Sequence, residues 1–197
     1  MREHREFFNL RAETWDSFKT PEEAVKARDL LSGLGIKPGE SVLDAGCGTG
    51  FLFPLIKTLV GETGRVTGLD ISEKMIASAR KKFGSAADYF TAPACSIPAG
   101  DGVFDRIICY SAFPHFPDKK RALAEFSRVL RSAGWLHIIH SSSRNSINAL
   151  HRGIGGAVRS DRIPPDVKMR ELLGSAGFTC ISVQDGRDSY AASGRLA

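Results

Sequence analysis

Glycine occupies every second position at the end of Val42-Leu43-Asp44-Ala45-Gly46-Cys47-Gly48-Thr49-Gly50, between a strand-like run and a helical pattern that starts near Phe51. Glycines at 46, 48 and 50 permit positive φ and remove Cβ atoms where a backbone must approach a ligand. The chemistry this suits is the holding of a nucleotide-like cofactor. The spacing is GxGxG rather than the GxGxxG that seats a pyrophosphate, so a dinucleotide is disfavoured. No lysine follows until Lys57, which excludes the GxxxxGK[ST] loop of ATP sites.

A second chemical element is Gly68-Leu69-Asp70-Ile71-Ser72, in which Asp70 closes another apolar run about twenty residues after Gly50. A carboxylate there can accept both hydroxyls of a ribose. The competing reading is a charge at a helix N-terminus, where Ser72 is already the better cap.

Histidine supplies the candidates for proton chemistry, because its ordinary pKa of about 6.5 lets it take a proton from a thiol, hydroxyl or acidic carbon near neutral pH. Of the five histidines, His140 ends a strand-like run and is the better placed base. His115 lies in the loop Cys109-Tyr110-Ser111-Ala112-Phe113-Pro114-His115-Phe116, and His151 sits on a stretch that reads as a capped helix. A structural role for each remains the alternative. His137 belongs inside a strand, as packing, and His4 reads as exposed. No carboxylate or cysteine spacing accompanies His115, His140 and His151, so no metal site is expected.

The elements that must position these residues follow from hydrophobic period. Apolar runs at 41–45, 65–70, 87–91, 103–109 and 135–140 alternate with helical patterns at about 51–60, 73–84 and 118–132, the signature of βα units around a parallel sheet. A further helix near 166–176 precedes runs at 177–183 and up to about Ser193, separated by Asp185-Gly186, which reads as an antiparallel hairpin at the sheet edge. Two stretches fall outside the alternation: 1–38, helical and bearing Phe7, Phe8, Trp15 and Phe18, and 141–165. Both are expected over the mouth of the sheet. The chain reads as one domain over 1–197: an N-terminal helical lid (1–38), a cofactor-binding core (39–140), a second lid or insertion (141–165), and a C-terminal helix with hairpin (166–197).

Composition sets the outer limits. With 197 residues, 42% hydrophobic and 25% charged, the chain can bury an adequate core without disulfides or a structural metal. Cys47, Cys95, Cys109 and Cys180 show no paired spacing, so neither a disulfide framework nor a zinc module is indicated. No stretch is long and apolar enough for a membrane span, and Met1-Arg2-Glu3-His4-Arg5-Glu6 lacks the apolar core of a secretory signal, giving a cytoplasmic expectation. The net charge is +5. Between Arg144 and Arg170, six basic residues face only Asp161 and Asp166.

The sequence resembles the class I S-adenosylmethionine-dependent methyltransferases through VLDAGCGTG at 42–50, GLDIS at 68–72, FDRIICYSAFPHF at 104–116 and LAEFSRVLRSAGWLHII at 123–139. Within them it is most similar to the ubiquinone and menaquinone biosynthesis group. The resemblance covers about 38–195 and implies a Rossmann-like, doubly wound α/β sheet of seven strands with the last antiparallel. It implies S-adenosylmethionine as cofactor and S-adenosylhomocysteine as product. The turn of Gly46, Cys47, Gly48 and Gly50 would meet the methionine part of the cofactor, Asp44 would support that turn, and Asp70 would hold the ribose. Ile71 and Met75 would flank the adenine, and Tyr110 and Ser111 would border the methionine end. The family's acid after the third strand is replaced by Pro93, which leaves adenine recognition to the backbone of Ala94 and Cys95 or to Ser96.

Methyl transfer from a sulfonium asks the protein for alignment, desolvation and, where needed, removal of a proton. Residues 109–116 lack the [DN]PP[FY] motif of nucleic-acid amino-methyltransferases, which makes nucleic acid a disfavoured partner and a small-molecule acceptor the leading one. Arg144 and Arg152 can clamp an anionic substrate, and Phe7 and Trp15 can enclose an apolar or aromatic one. RNA or protein methylation, and cofactor binding without catalysis, are the competing readings.

Overall fold

In a strand buried on both faces, successive side chains serve two different cores, and the helices are sorted by which core they complete. The computed structural model describes residues 1–197. Its elements are α1 (Arg2–Asn9), α2 (Pro21–Ser32), β1 (Ser41–Ala45), α3 (Phe53–Val60), β2 (Arg65–Asp70), α4 (Glu73–Phe83), β3 (Asp88–Thr91), β4 (Phe104–Tyr110), α5 (Lys119–Val129), β5 (Leu130–His140), α6 (Arg144–Ile154), α7 (Asp166–Ser175), β6 (Phe178–Asp185) and β7 (Tyr190–Leu196). Val42, Val66, Ile108 and Ile139 pack with Leu31 of α2, Ile56 of α3 and Ile76 of α4. Their strand neighbours Leu43, Leu69, Ile107 and Ile138 pack on the other face with Phe126 of α5 and Leu173 of α7.

The seven strands run in the order β3-β2-β1-β4-β5-β7-β6. β1 pairs in parallel with β2 on one side and β4 on the other, so the chain reverses its direction of winding there. Loops leaving β1 and β4 therefore diverge and open a crevice at the C-terminal ends of the strands, where open α/β sheets bind ligands. β7 is antiparallel to both β5 and β6 and lies between them, which leaves β6 at the edge.

Among the boundaries that differ from the sequence pattern, three stand out. The helix expected over 118–132 stops at Val129, because Leu130 turns extended with ψ 143° and pairs with Phe104. Pairing then resumes at Arg106 and Trp135, with Ala133 at φ 64° between them. The helix expected from residue 51 begins at Phe53, since Phe51 and Leu52 still belong to the turn. The last strand runs on to Leu196 rather than ending near Ser193.

α1 buries no residue fully, and polar bonds tie it and the following turn to the sheet's C-terminal edge. Asn9 Oδ1 accepts from Ser72 Oγ at 2.6 Å, and Asn9 Nδ2 donates to Glu73 Oε1 at 2.8 Å. Asp16 accepts from Thr49 Oγ1 at 2.6 Å and from Lys82 Nζ at 2.5 Å. At the opposite end of the sheet, His137 is a packing residue as expected, 2.8 Å from both Arg106 Nη1 and Ser193 Oγ. No helix is long and apolar enough to cross a membrane.

Candidate active site

The glycine turn is built by its neighbours. Gly46 and Cys47 both donate their amides to Leu69 O, at 2.7 and 3.0 Å, which fastens the turn to the end of β2. Gly46 has φ 81°, and a Cβ there would collide with Ala112. Its bare backbone thus lets the loop after β1 press against the loop after β4. Gly48, at φ 53°, donates its amide to Asp70 Oδ2 at 2.9 Å, while Asp70 Oδ1 accepts from the Ser72 amide at 2.8 Å. Ser72 caps α4 by accepting from the Met75 amide at 3.1 Å, and Asp70 lines the crevice.

These loops form one side of a cavity of about 900 Å³, within the range of small-molecule and cofactor sites. Asp44, Gly46, Cys47 and Gly48 line it from β1 and its turn, and Asp70, Ile71 and Met75 from β2 and α4. Pro93, Ala94 and Cys95 line it after β3, and Tyr110 and Ser111 after β4. Ser111 holds a left-handed backbone, φ 53°, of a kind that non-glycine residues keep mainly at functional sites. Gly50 does not reach the cavity: a Cβ there would sit 2.8 Å from Phe83 and 2.9 Å from Phe53, so its role is to let α3 and α4 close under the turn.

Two buried carboxyl groups set the electrostatics of this half. Burial pushes Asp70 up to about 6, against the amides of Ser72, Gly48 and Ile71 that hold it down. Burial and the nearby Asp70 push Asp44 up to about 8, with Lys19 opposing. Asp44 Oδ2 is buried and has no hydrogen-bond partner. A buried acceptor without a partner is costly, and a ligand with a cationic end satisfies it. A bare turn, a carboxylate at the end of β2 and an acceptor for a cation together fit a nucleoside cofactor that carries positive charge.

The other half is aromatic and histidine-rich. Phe7 and Phe8 from the N-terminal segment line it with His115, His140 and His151, while Trp15 lies against Gly48 of the turn. Phe8 stands edge-on to His115, with centroids 5.1 Å apart, and His115 lies 4.7 Å from the His151 ring. His140 ends β5 as expected, yet it is fully buried and neither ring nitrogen has a partner. Burial, with His115 and His151 nearby, pushes it down to about 3. In the ligand-free chain the ring is therefore neutral, with two unpartnered nitrogens at the cavity wall.

His115 is differently placed. Its Nδ1 lies 2.6 Å from Asp161 Oδ2, and Nε2 has no protein partner on a ring that lines the cavity. The same carboxylate meets His4 Nε2 at 3.0 and 3.1 Å, and the Asp161 carbonyl meets His151 Nδ1 at 3.2 Å. Burial alone would raise the Asp161 carboxyl, but the hydrogen bonds from His115 and His4 outweigh it and hold it down to about 2. His4, expected to be exposed, is instead largely buried in this pair. Asp161 and His4 had no local signature. The one hint was that 1–38 and 141–165 both fall outside the βα alternation and must lie over the mouth.

Arg144 and Arg152 do not reach the cavity. α6 presents Ile147, Leu150, His151 and Ile154 to it, the helical spacing of one face. Arg152 lies one residue round from that face. Arg144 is held at the helix start, its amide and Nε bonded to Asp185 at 2.9 and 3.2 Å. The expected anion clamp is therefore absent from the wall.

Residues 43–138 match a family described as a methyltransferase domain. The chain carries a methyltransferase domain. Among curated relatives, the ubiquinone/menaquinone biosynthesis C-methyltransferase UbiE of Klebsiella pneumoniae is 35% identical over 113 residues, covering 55% of this chain and 45% of that protein. A 37.1 kDa protein in transposon TN4556 of Streptomyces fradiae is 36% identical over 109 residues, 54% of this chain and 32% of its own length. The chain thus matches less than half the length of these relatives. Among solved structures, a SAM dependent methyltransferase from Aquifex aeolicus superposes with TM-score 0.76 at 22% identity, covering 94% of this chain and 98% of that one. Phosphoethanolamine N-methyltransferase 2 of Haemonchus contortus, in complex with S-adenosyl-L-methionine, superposes with TM-score 0.78 at 16% identity, over 98% of this chain and 60% of that one. The fold is that of S-adenosylmethionine-dependent methyltransferases.

Proposed function

We propose that the protein transfers a methyl group from S-adenosylmethionine to a small-molecule acceptor held in the same cavity. The observation that carries this reading is the division of that cavity: a glycine turn with Asp44 and Asp70 on one side, and an aromatic and histidine wall on the other. Asp70 would hold the ribose hydroxyls, and Asp44 the cationic end of the cofactor. Ile71 and Met75 would flank the adenine, with the backbone of Ala94 and Cys95 at its edge. When bound, the cofactor supplies an electrophilic methyl on a sulfonium, so no nucleophilic side chain is required.

The chain's own residues align the acceptor, exclude water and take its proton. Residues 1–38 act as a lid, in which Phe7, Phe8 and Trp15 close the cavity and remove solvent from it. His115 takes the proton at Nε2, which suits an acceptor whose oxygen, sulfur or carbon must lose a proton as it is methylated. Arg144 and Arg152 are absent from the wall, but Arg11, Lys19 and Arg121 line the cavity among its apolar residues, which leaves both an anionic and an aromatic acceptor open.

The test is incubation with methyl-labelled S-adenosylmethionine and a panel of small phenols, thiols and carbon acids. Transfer of label to a panel member is expected. Label that goes only to tRNA or protein added to the mixture contradicts the small-molecule reading.

A further inference from the structure

Asp161 is an unusual carboxylate for the surface-covering segment that carries it. Its side chain is 8% exposed, its carboxylate bears no bond to lysine or arginine, and both carboxylate oxygens are spent on two histidines, one from α1 and one from the loop after β4. Five ionisable groups face it: His4 from α1, His115 and Lys119 from the loop and helix after β4, His151 from α6, and its neighbour Arg162. Only His4 and His115 touch the carboxylate. Arg162 turns its guanidinium to the Arg159 and Asp161 carbonyls, at 2.7 and 2.8 Å, and Lys119 bonds the Pro114 and Phe116 carbonyls at 3.0 Å each.

A neutral imidazole carries one proton, and whichever nitrogen faces a carboxylate must bear it. At 2.6 Å from Asp161, Nδ1 of His115 is the donor, which leaves Nε2 as the lone-pair nitrogen on a ring lining the cavity. A free histidine side chain prefers the opposite arrangement. We infer that Asp161 is the positioning residue of the proton-accepting group: it fixes His115 in the Nδ1–H form, aims Nε2 at the acceptor, and stabilises the imidazolium that follows. This rests on the proposed methyltransferase reaction. In it, the acceptor's proton goes to Nε2 as the electron pair it leaves takes the methyl carbon, and the carbon–sulfur pair stays on sulfur.

His4 makes the arrangement depend on α1. By donating Nε2–H to the same carboxylate, it helps fix Asp161 in place, so the base is fully aligned only when the N-terminal helix is docked.

Long-range proton–nitrogen NMR of the histidine-labelled full chain reads the tautomer directly, at a pH where the ring is neutral. Assignment uses His115→Gln. The expected result is a His115 with protonated Nδ1 and bare Nε2 in the wild type, converted to Nε2–H in Asp161→Asn and retained in Asp161→Glu. A wild-type His115 in the Nε2–H form overturns the proposal, and needs no variant that has to fold. So does a tautomer unchanged in Asp161→Asn. On any acceptor found, Asp161→Asn should lower kcat on the order of 100-fold, with cofactor affinity unchanged and Asp161→Glu restoring part of the rate. Failure of S-adenosylmethionine to bind would instead count against the methyltransferase reading and leave the tautomer result standing.

Discussion

Gly48 donates its amide to the Asp70 carboxylate across 2.9 Å, so the glycine turn and the group expected to hold the ribose are one unit. That coupling sets what a substitution does. Asp70→Ala removes both the ligand contact and two charge-assisted bonds, from the Gly48 and Ser72 amides, each worth about 1.5–3 kcal/mol. Cofactor affinity is expected to fall at least about tenfold, equivalent to about 1.4 kcal/mol, with Asp70→Asn intermediate. Calorimetric titration with S-adenosylmethionine checks this.

The same unit predicts a pH dependence. Asp70 and Asp44 sit at about 6 and about 8 in the ligand-free protein, above the ordinary carboxylate range because both are buried. The folded chain therefore holds more protons than the unfolded one from about pH 4 upward, and ligand-free stability should fall as pH rises through 6 toward 8. A cationic ligand favours the ionised carboxylates, so affinity for S-adenosylmethionine should rise over that interval with release of protons. Titrations in buffers of different ionisation enthalpy measure the release; affinity that is flat or falls with pH contradicts the assignment.

His140 and His115 separate by kcat and its pH dependence. His140, buried and pushed down to about 3, does not titrate in the working range, so His140→Gln should keep the wild-type pH dependence even where acceptor binding weakens. His115→Gln should lower kcat on the order of 100-fold. If His140→Gln alone lowers kcat and changes the pH dependence, the roles are reversed.

A further prediction concerns the N-terminal cover. α1 contributes no fully buried side chain, so Asn9 and Asp16 carry much of its attachment through Ser72, Glu73, Thr49 and Lys82. Exposed pairs of this kind are worth about 0.2–1 kcal/mol each. Asn9→Ala with Asp16→Ala should raise hydrogen exchange in residues 1–18 and leave the sheet unchanged; unaltered exchange there would mean that the aromatic contacts of Phe8 and Trp15 and the His4–Asp161 bond hold the cover without them.

What was legible in the sequence was local. Five parallel strands, the capping Ser72, the turn at 46–50 and Asp70 each declare themselves within a few residues, because backbone conformation and a ligand at a strand end are set by near neighbours. The end of α5 was not legible: Leu130 is a good helix residue, and only its pairing with Phe104 takes it out of the helix. The acid partner of His115 was likewise hidden, since Asp161 lies 46 residues from His115 and 157 from His4. A basic run at 144–170 pointed to a clamp, but the apolar face of α6 claimed the cavity and Arg144 found Asp185.

The central claim is that the divided cavity binds S-adenosylmethionine, and titration calorimetry of the purified chain tests it most directly. Heat from S-adenosylmethionine and S-adenosylhomocysteine, with dissociation constants on the order of micromolar and none from NAD, is the predicted result. Absence of binding by both at high protein concentration, in a chain whose circular dichroism shows it folded, would contradict the account.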